Sequence, residues 1–192
     1  MVSQTPLPRG ASPRILSAMR KRREARERAV QFLFQCDLNP PENLPAALDH
    51  FWDAHRLTLQ LDRNPGPTYG QPVDVPPPKA EEQAMRIFAD GLIAGALEHQ
   101  VESDEIIRSF TKNWELHRIA AVDRTILRLA IYEMKHRDDI PPVVSINEAV
   151  DLAKKYSTEQ SGRFVNGILD KVKSSILRPA RTAKTSAETL EP

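Results

Sequence analysis

The sequence predicts an all-α fold. Apolar residues recur at helical spacing in one stretch after another, and no stretch alternates as a half-buried strand would. Proline and glycine gather between those stretches rather than inside them, where they would break a helix. No repeat at solenoid spacing is present.

Residues 1–18 hold Pro6, Pro8, Gly10 and Pro13 among small polar residues and are expected to form a disordered tail. From Arg20 the chain becomes cationic, and Ala25, Ala29, Phe32, Leu33 and Cys36 then form one stripe, with Arg20, Arg23 and Glu27 off it. Asn39, Pro40 and Pro41 end that helix. A weaker amphipathic stretch follows from Leu44 to about Leu61, with Leu48, Phe51, Trp52 and His55 on its apolar face. Residues 62–79, carrying six prolines and two glycines, are expected to form a surface loop inserted in a single domain spanning 19–178.

Helical spacing returns with Met85, Phe88, Leu92, Ile93, Ala96 and Leu97, and Gly91 and Gly95 would let a neighbouring helix approach closely. Ser103 is placed to cap a short helix carrying Ile106, Ile107, Phe110 and Trp114. The stretch from Ile119 to about Lys135 has the strongest periodicity, and Leu127 and Ile131 widen its stripe, as a central helix requires. Ile140, ahead of two prolines, marks a stop. Ser145 and Glu148 have capping-box spacing, and Ile146, Ala149, Val150 and Ala153 follow on one face. A polar break at Ser157–Gly162 precedes a last amphipathic helix with Phe164, Val165, Ile168, Leu169 and Val172. Residues 179–192 are expected to form a second disordered tail.

The chain has 192 residues, a formal net charge of +1 and one cysteine. A single Cys36 excludes an internal disulfide framework or a cysteine-built zinc site. No apolar run approaches the length of a bilayer span and no signal-peptide core is present, so a cytoplasmic protein is expected. Charge is unevenly distributed. Through Cys36 eight Lys or Arg face two Glu, whereas Asp37 to Glu115 holds six basic and fourteen acidic residues. A basic arm ahead of an acidic middle suits a polyanionic partner.

Catalytic signatures are missing. No two of His50, His55, His99, His117 and His136 have the i,i+4 spacing of a helical zinc pair, and there is no phosphate loop, HExxH or GxSxG. No enzyme, cofactor or metal is expected. The carboxylate pairs Glu81-Glu82 and Asp138-Asp139 read as solvated charge at helix ends, and Cys36 reads as a small core residue.

The basic run allows two readings, a solvated helix end or a phosphate-binding arm. Cations at a helix N-terminus oppose the macrodipole by about 0.3–1 kcal/mol each, so helix stability does not account for them. Arginine predominates over lysine there, which favours nucleic acid, because guanidinium binds phosphate bidentately and stacks on bases. Phe34 and Phe164 read first as core packing, as an aromatic at helical spacing more often does. Phe164, however, begins a helix beside Arg163, where its ring can stay partly exposed for base stacking, worth roughly 1–3 kcal/mol per base.

Five segments now combine into a resemblance. RREARERAVQFLFQ at 22–35 resembles the first helix of the NusB family of transcription antitermination factors, FADGLIAG at 88–95 the third, and VDRTILRLAIYEM at 122–134 the fifth. IPPVVSINEAVDLAKKY at 140–156 and GRFVNGILDK at 162–171 are similar to the family's C-terminal hairpin. The resemblance covers about residues 20–178 and implies about seven helices in two packed sub-bundles. It also implies binding of single-stranded boxA RNA from ribosomal RNA leaders, jointly with the ribosomal protein NusE, in an assembly with RNA polymerase. The RNA-binding positions it implies are Arg20, Lys21, Arg22, Arg23, Arg26, Phe34, Gln160, Ser161, Arg163 and Phe164, with Asp123 near the protein partner. Glu24, Gln160 and Gly162 depart from residues that relatives carry. The alternative reading is a helical protein-interaction module or homodimer that does not bind RNA, motivated by the surplus apolar width of the helix 119–135. A duplex-DNA regulator ranks last, because no helix-turn-helix spacing is evident. The resemblance places Arg163 and Phe164 beside the arginine arm, as one RNA surface.

Overall fold

A computed structural model describes residues 13–63, 75–111 and 115–177. Seven α-helices account for most of it: α1 (Pro13–Leu38), α2 (Leu44–Arg63), α3 (Ala80–Glu98), α4 (Gln100–Phe110), α5 (Ala121–His136), α6 (Pro142–Tyr156) and α7 (Glu159–Leu177). No strand occurs among the described residues. Helices α1–α3 form one sub-bundle and α4–α7 the other, and α5 packs against both.

The wide stripe of α5 explains its position. Ile126, Leu127, Leu129, Ala130, Ile131 and Met134 are all buried, which requires neighbours on several sides. Helices α1, α3, α4, α6 and α7 supply them. The apolar surplus that motivated a homodimer is therefore covered within the chain. Ala25 and Ala29 on α1 are fully buried and let that helix approach closely. At Gly95 a Cβ would fall 2.0 Å from Tyr132 Cζ, so the ring of α5 occupies the space that a side chain on α3 would need. Gly91 faces no such crowding. Helix α2 attaches through Leu48 and Trp52, an edge-on contact of Phe51 with Phe32 at 5.3 Å, and a bond from Trp52 Nε1 to Asp90 Oδ1 at 2.8 Å.

Several helix starts differ from the sequence reading. Helix α1 begins at Pro13, so residues 13–18 are helical; the rest of the expected tail lies outside the described residues. The same holds for 64–74 of the proline-rich loop and for the C-terminal tail. Helix α4 follows α3 across the single residue His99, and Ser103 is an interior, buried position rather than a cap. Helix α6 starts at Pro142, a residue preset for the first helical turn. Ser145 and Glu148 thus form no capping box, and both side chains reach other helices instead. The break before α7 shrinks to Ser157 and Thr158. Thr158 Oγ1 accepts the Ser161 backbone N–H at 3.0 Å, the geometry of an N-cap, so Gly162 and Phe164 lie inside α7.

A charged network closes the far end of α1. Arg128 grips Asp104 with two bonds of 2.7 and 2.9 Å and reaches Asp37 Oδ1 at 2.7 Å, while Arg124 holds the other oxygen of Asp37. Burial alone would push the Asp37 carboxyl up, but the bonds from Arg124 and Arg128 outweigh it and hold the group below its ordinary range. A depressed folded-state pKa stabilises fully above the unfolded value, about 3.9, and the contribution is lost as pH falls through the folded value. Asp37→Asn should therefore lower stability at neutral pH, with the deficit shrinking below about pH 4. Urea titrations at several pH values check this, and a deficit independent of pH would contradict it.

Candidate nucleic-acid interface

Arg20, Arg23, Glu27, Gln31 and Phe34 are spaced three or four residues apart and share one face of α1. That face runs alongside α6 in the same direction. Arg23 binds Glu148 with bonds of 2.9–3.3 Å and Asp151 at 2.9 Å. Next, Lys155 pairs with Glu27 at 2.7 Å, and Gln31 Nε2 donates to the Tyr156 hydroxyl at 3.2 Å. Phe34, half-buried, follows one turn beyond.

The expected site residues occupy different environments. Arg20 and Arg22 are exposed and make no ion pair among the described residues; Lys21 pairs with Glu24 at 3.0 Å. Arg22 instead lies over the Phe88 ring at 5.5 Å. Arg26 is only 4% exposed, and its Nε donates to Glu133 Oε1 at 2.7 Å. The other oxygen of Glu133, itself 1% exposed, accepts from Ser145 Oγ at 2.7 Å. Arg26 thus ties α1 to α5 and α6 and is not presented to a ligand. At the start of α7, Gln160 and Arg163 are exposed, Ser161 bonds Ser157 and Thr158, and Phe164 is half-buried against the core.

Arg163 and Phe164 lie near the start of α7, and the arginine run lies on α1. Because α1 and α6 run in the same direction, Arg23 meets the middle of α6 at Glu148 and Asp151, and Gln31 meets its end at Tyr156. At 1.5 Å per residue, Arg20 and Phe34 are about 21 Å apart along α1. The result is a ridge with exposed Arg20 at one end, carboxylate-compensated cations along its middle and half-buried Phe34 at the other end. Asp123, in the first turn of α5, is 5% exposed.

The sequence reading also missed Phe88, assigned there only to a core stripe. Three guanidiniums surround its ring, those of Arg22 and Arg26 at 5.5 Å and of Arg137 at 5.3 Å. Phe88 is thus a half-buried ring held in cation–π contact with three guanidiniums. Nothing in the apolar periodicity of α3 marks it, because its partners come from α1 and from the residue after α5.

These features define a two-sub-bundle, all-α protein with a cationic, aromatic-bearing ridge. Comparison with known proteins places it more narrowly. The NusB family signature matches residues 23–174. The chain is 45% identical over 154 residues to the transcription antitermination protein NusB of Methylacidiphilum infernorum, covering 80% of this chain and 91% of that one. It is 40% identical over 159 residues to that of Bacillus velezensis, covering 81% and 98%. Among solved structures, one described as T. maritima NusB superposes with a TM-score of 0.61 at 31% identity, covering 80% of this chain and 90% of that chain. A structure described as antitermination factors NusB and NusE in complex with dsRNA gives 0.59 at 27% identity, covering 82% and 98%. The chain belongs to the NusB family, a family of transcription antitermination factors and not of enzymes. Among the described residues, no helix is long and apolar enough to cross a membrane.

Proposed function

We propose that this protein is a cytoplasmic transcription antitermination factor that binds boxA-type RNA of ribosomal RNA leaders jointly with NusE, within an assembly that includes RNA polymerase. The observation that carries the reading is the ridge itself. Exposed Arg20 stands at one end and half-buried Phe34 at the other, with exposed Arg22 on a neighbouring face of α1 and exposed Arg163 and half-buried Phe164 near the start of α7. These guanidiniums would position phosphates, and the half-buried rings would stack on unpaired bases. A ridge of about 21 Å suits several nucleotides of an extended strand. The relatives named as antitermination proteins, and the neighbour solved with NusE and double-stranded RNA, support the same reading.

Fluorescence anisotropy with boxA RNA, its duplex form and a scrambled strand, each with and without NusE, tests it. The single strand should bind best, and NusE should tighten it. Arg163→Ala should weaken that binding about fivefold, the worth of one lost phosphate contact at 0.1 M salt. Equal affinity for boxA and scrambled RNA in the presence of NusE would overturn the assignment.

A further inference from the structure

We propose that His99, Glu102 and His136 form a binding site for a late first-row divalent cation, zinc foremost, at the corner where α3, α4 and α5 meet. The three side chains come from separate parts of the chain. His99 is the single residue between α3 and α4, Glu102 lies in the first turn of α4, and His136 is the last residue of α5. Sequence spacing alone hid the group, because one histidine lies between α3 and α4 and the other ends α5.

The geometry converges on one point. His136 Nε2 lies 2.7 Å and His99 Nδ1 3.4 Å from the same Glu102 oxygen, and one ligand atom from each residue falls within 4.8 Å of the others. Donors about 2.0–2.1 Å from a shared tetrahedral ion stand about 3.3 Å apart, so the distances need only small shifts. The imidazole rings are stacked at 3.8 Å and 17°, so their in-plane lone pairs lie in nearly parallel planes and one ring must rotate out of the stack to bring both onto one ion. The Tyr132 ring stacks on both at 5.8 Å and keeps the pair together.

The donor set fits the ion. Two imidazoles and a carboxylate are a recognised zinc set that leaves a fourth position for water, and imidazole ligation favours zinc, copper and nickel over magnesium or calcium. All three side chains are partly exposed, which gives an ion access. Lys135 holds the other oxygen of Glu102. That contact orients the carboxylate as an outer-shell partner does, while its positive charge opposes the ion.

Isothermal titration of the full chain with zinc chloride, and visible absorption with cobalt chloride, test the proposal. One ion per chain with micromolar affinity, and a tetrahedral cobalt spectrum, are expected. His99→Ala, His136→Ala and Glu102→Gln should each weaken binding at least tenfold, while Lys135→Met should strengthen it. Circular dichroism melts in chelator, unchanged in these exposed variants, will show that the fold is intact. No binding at millimolar zinc would overturn the proposal. Unchanged affinity in the His99→Ala/His136→Ala double variant would do so too, by assigning the ion to the remaining histidines.

Discussion

Glu133→Ala should destabilise the protein by about 3–5 kcal/mol, the cost of breaking a buried ion pair from one side. The carboxylate is held by Arg26 from α1 and by Ser145 from α6, so its removal strands two groups. Arg26 would keep its charge at 4% exposure with no counter-ion, and the Ser145 hydroxyl would lose its acceptor. For a domain of this size the melting temperature should fall by about 10 °C. Replacing both partners has a different consequence. Arg26→Met with Glu133→Leu removes the desolvation penalty along with the attraction and should be neutral or mildly stabilising. Urea denaturation of the single and double variants separates the two. A single-variant loss below about 1 kcal/mol would mean that water reaches the pair and that the junction of α1, α5 and α6 is held by apolar packing alone.

That pair was legible in the sequence, had periodicity been applied to charges as well as to apolar residues. Arg26 stands three and four residues before Ala29 and Val30, and Glu133 stands seven after Ile126. Both lie on buried stripes, where an ionised group needs a partner. The family resemblance instead assigns Arg26 to the RNA-binding run with the cations before it. The stripes of α1, α3 and α5 were readable because burial follows helical period directly. Ser145 and Glu148 show the opposite case. Their spacing satisfies the capping-box pattern, yet the two prolines start α6 earlier and leave both side chains free for tertiary bonds. Local spacing cannot report which distant helix will offer a partner. For the same reason the guanidiniums around Phe88 were not readable from α3 alone.

The shared face of α1 sharpens what RNA binding should look like. Counting Arg20, Lys21, Arg22, Arg23 and Arg26 as five phosphate contacts gives a log–log salt slope of about −3.5 for a single strand. The structure commits three of those five: Lys21 to Glu24, Arg23 to Glu148 and Asp151, and Arg26 to Glu133. Arg20 and Arg22, with exposed Arg163 on α7, then leave three contacts and a slope of about −2. Arg20→Ala with Arg22→Ala should flatten the slope by about 1.4 and weaken binding about 25-fold at 0.1 M salt, one decade below the 1 M reference. The Arg26→Met/Glu133→Leu variant should leave both quantities unchanged. The reason is energetic. Drawing Arg26 out of its buried pair would cost about 3–5 kcal/mol. A phosphate contact at 0.1 M salt returns only about a fivefold gain in affinity, close to 1 kcal/mol. Anisotropy titrations across a salt series distinguish the two counts. A slope near −3.5 that flattens in the Arg26 variant would mean that RNA competes successfully with Glu133, and that the helix junction opens when RNA binds.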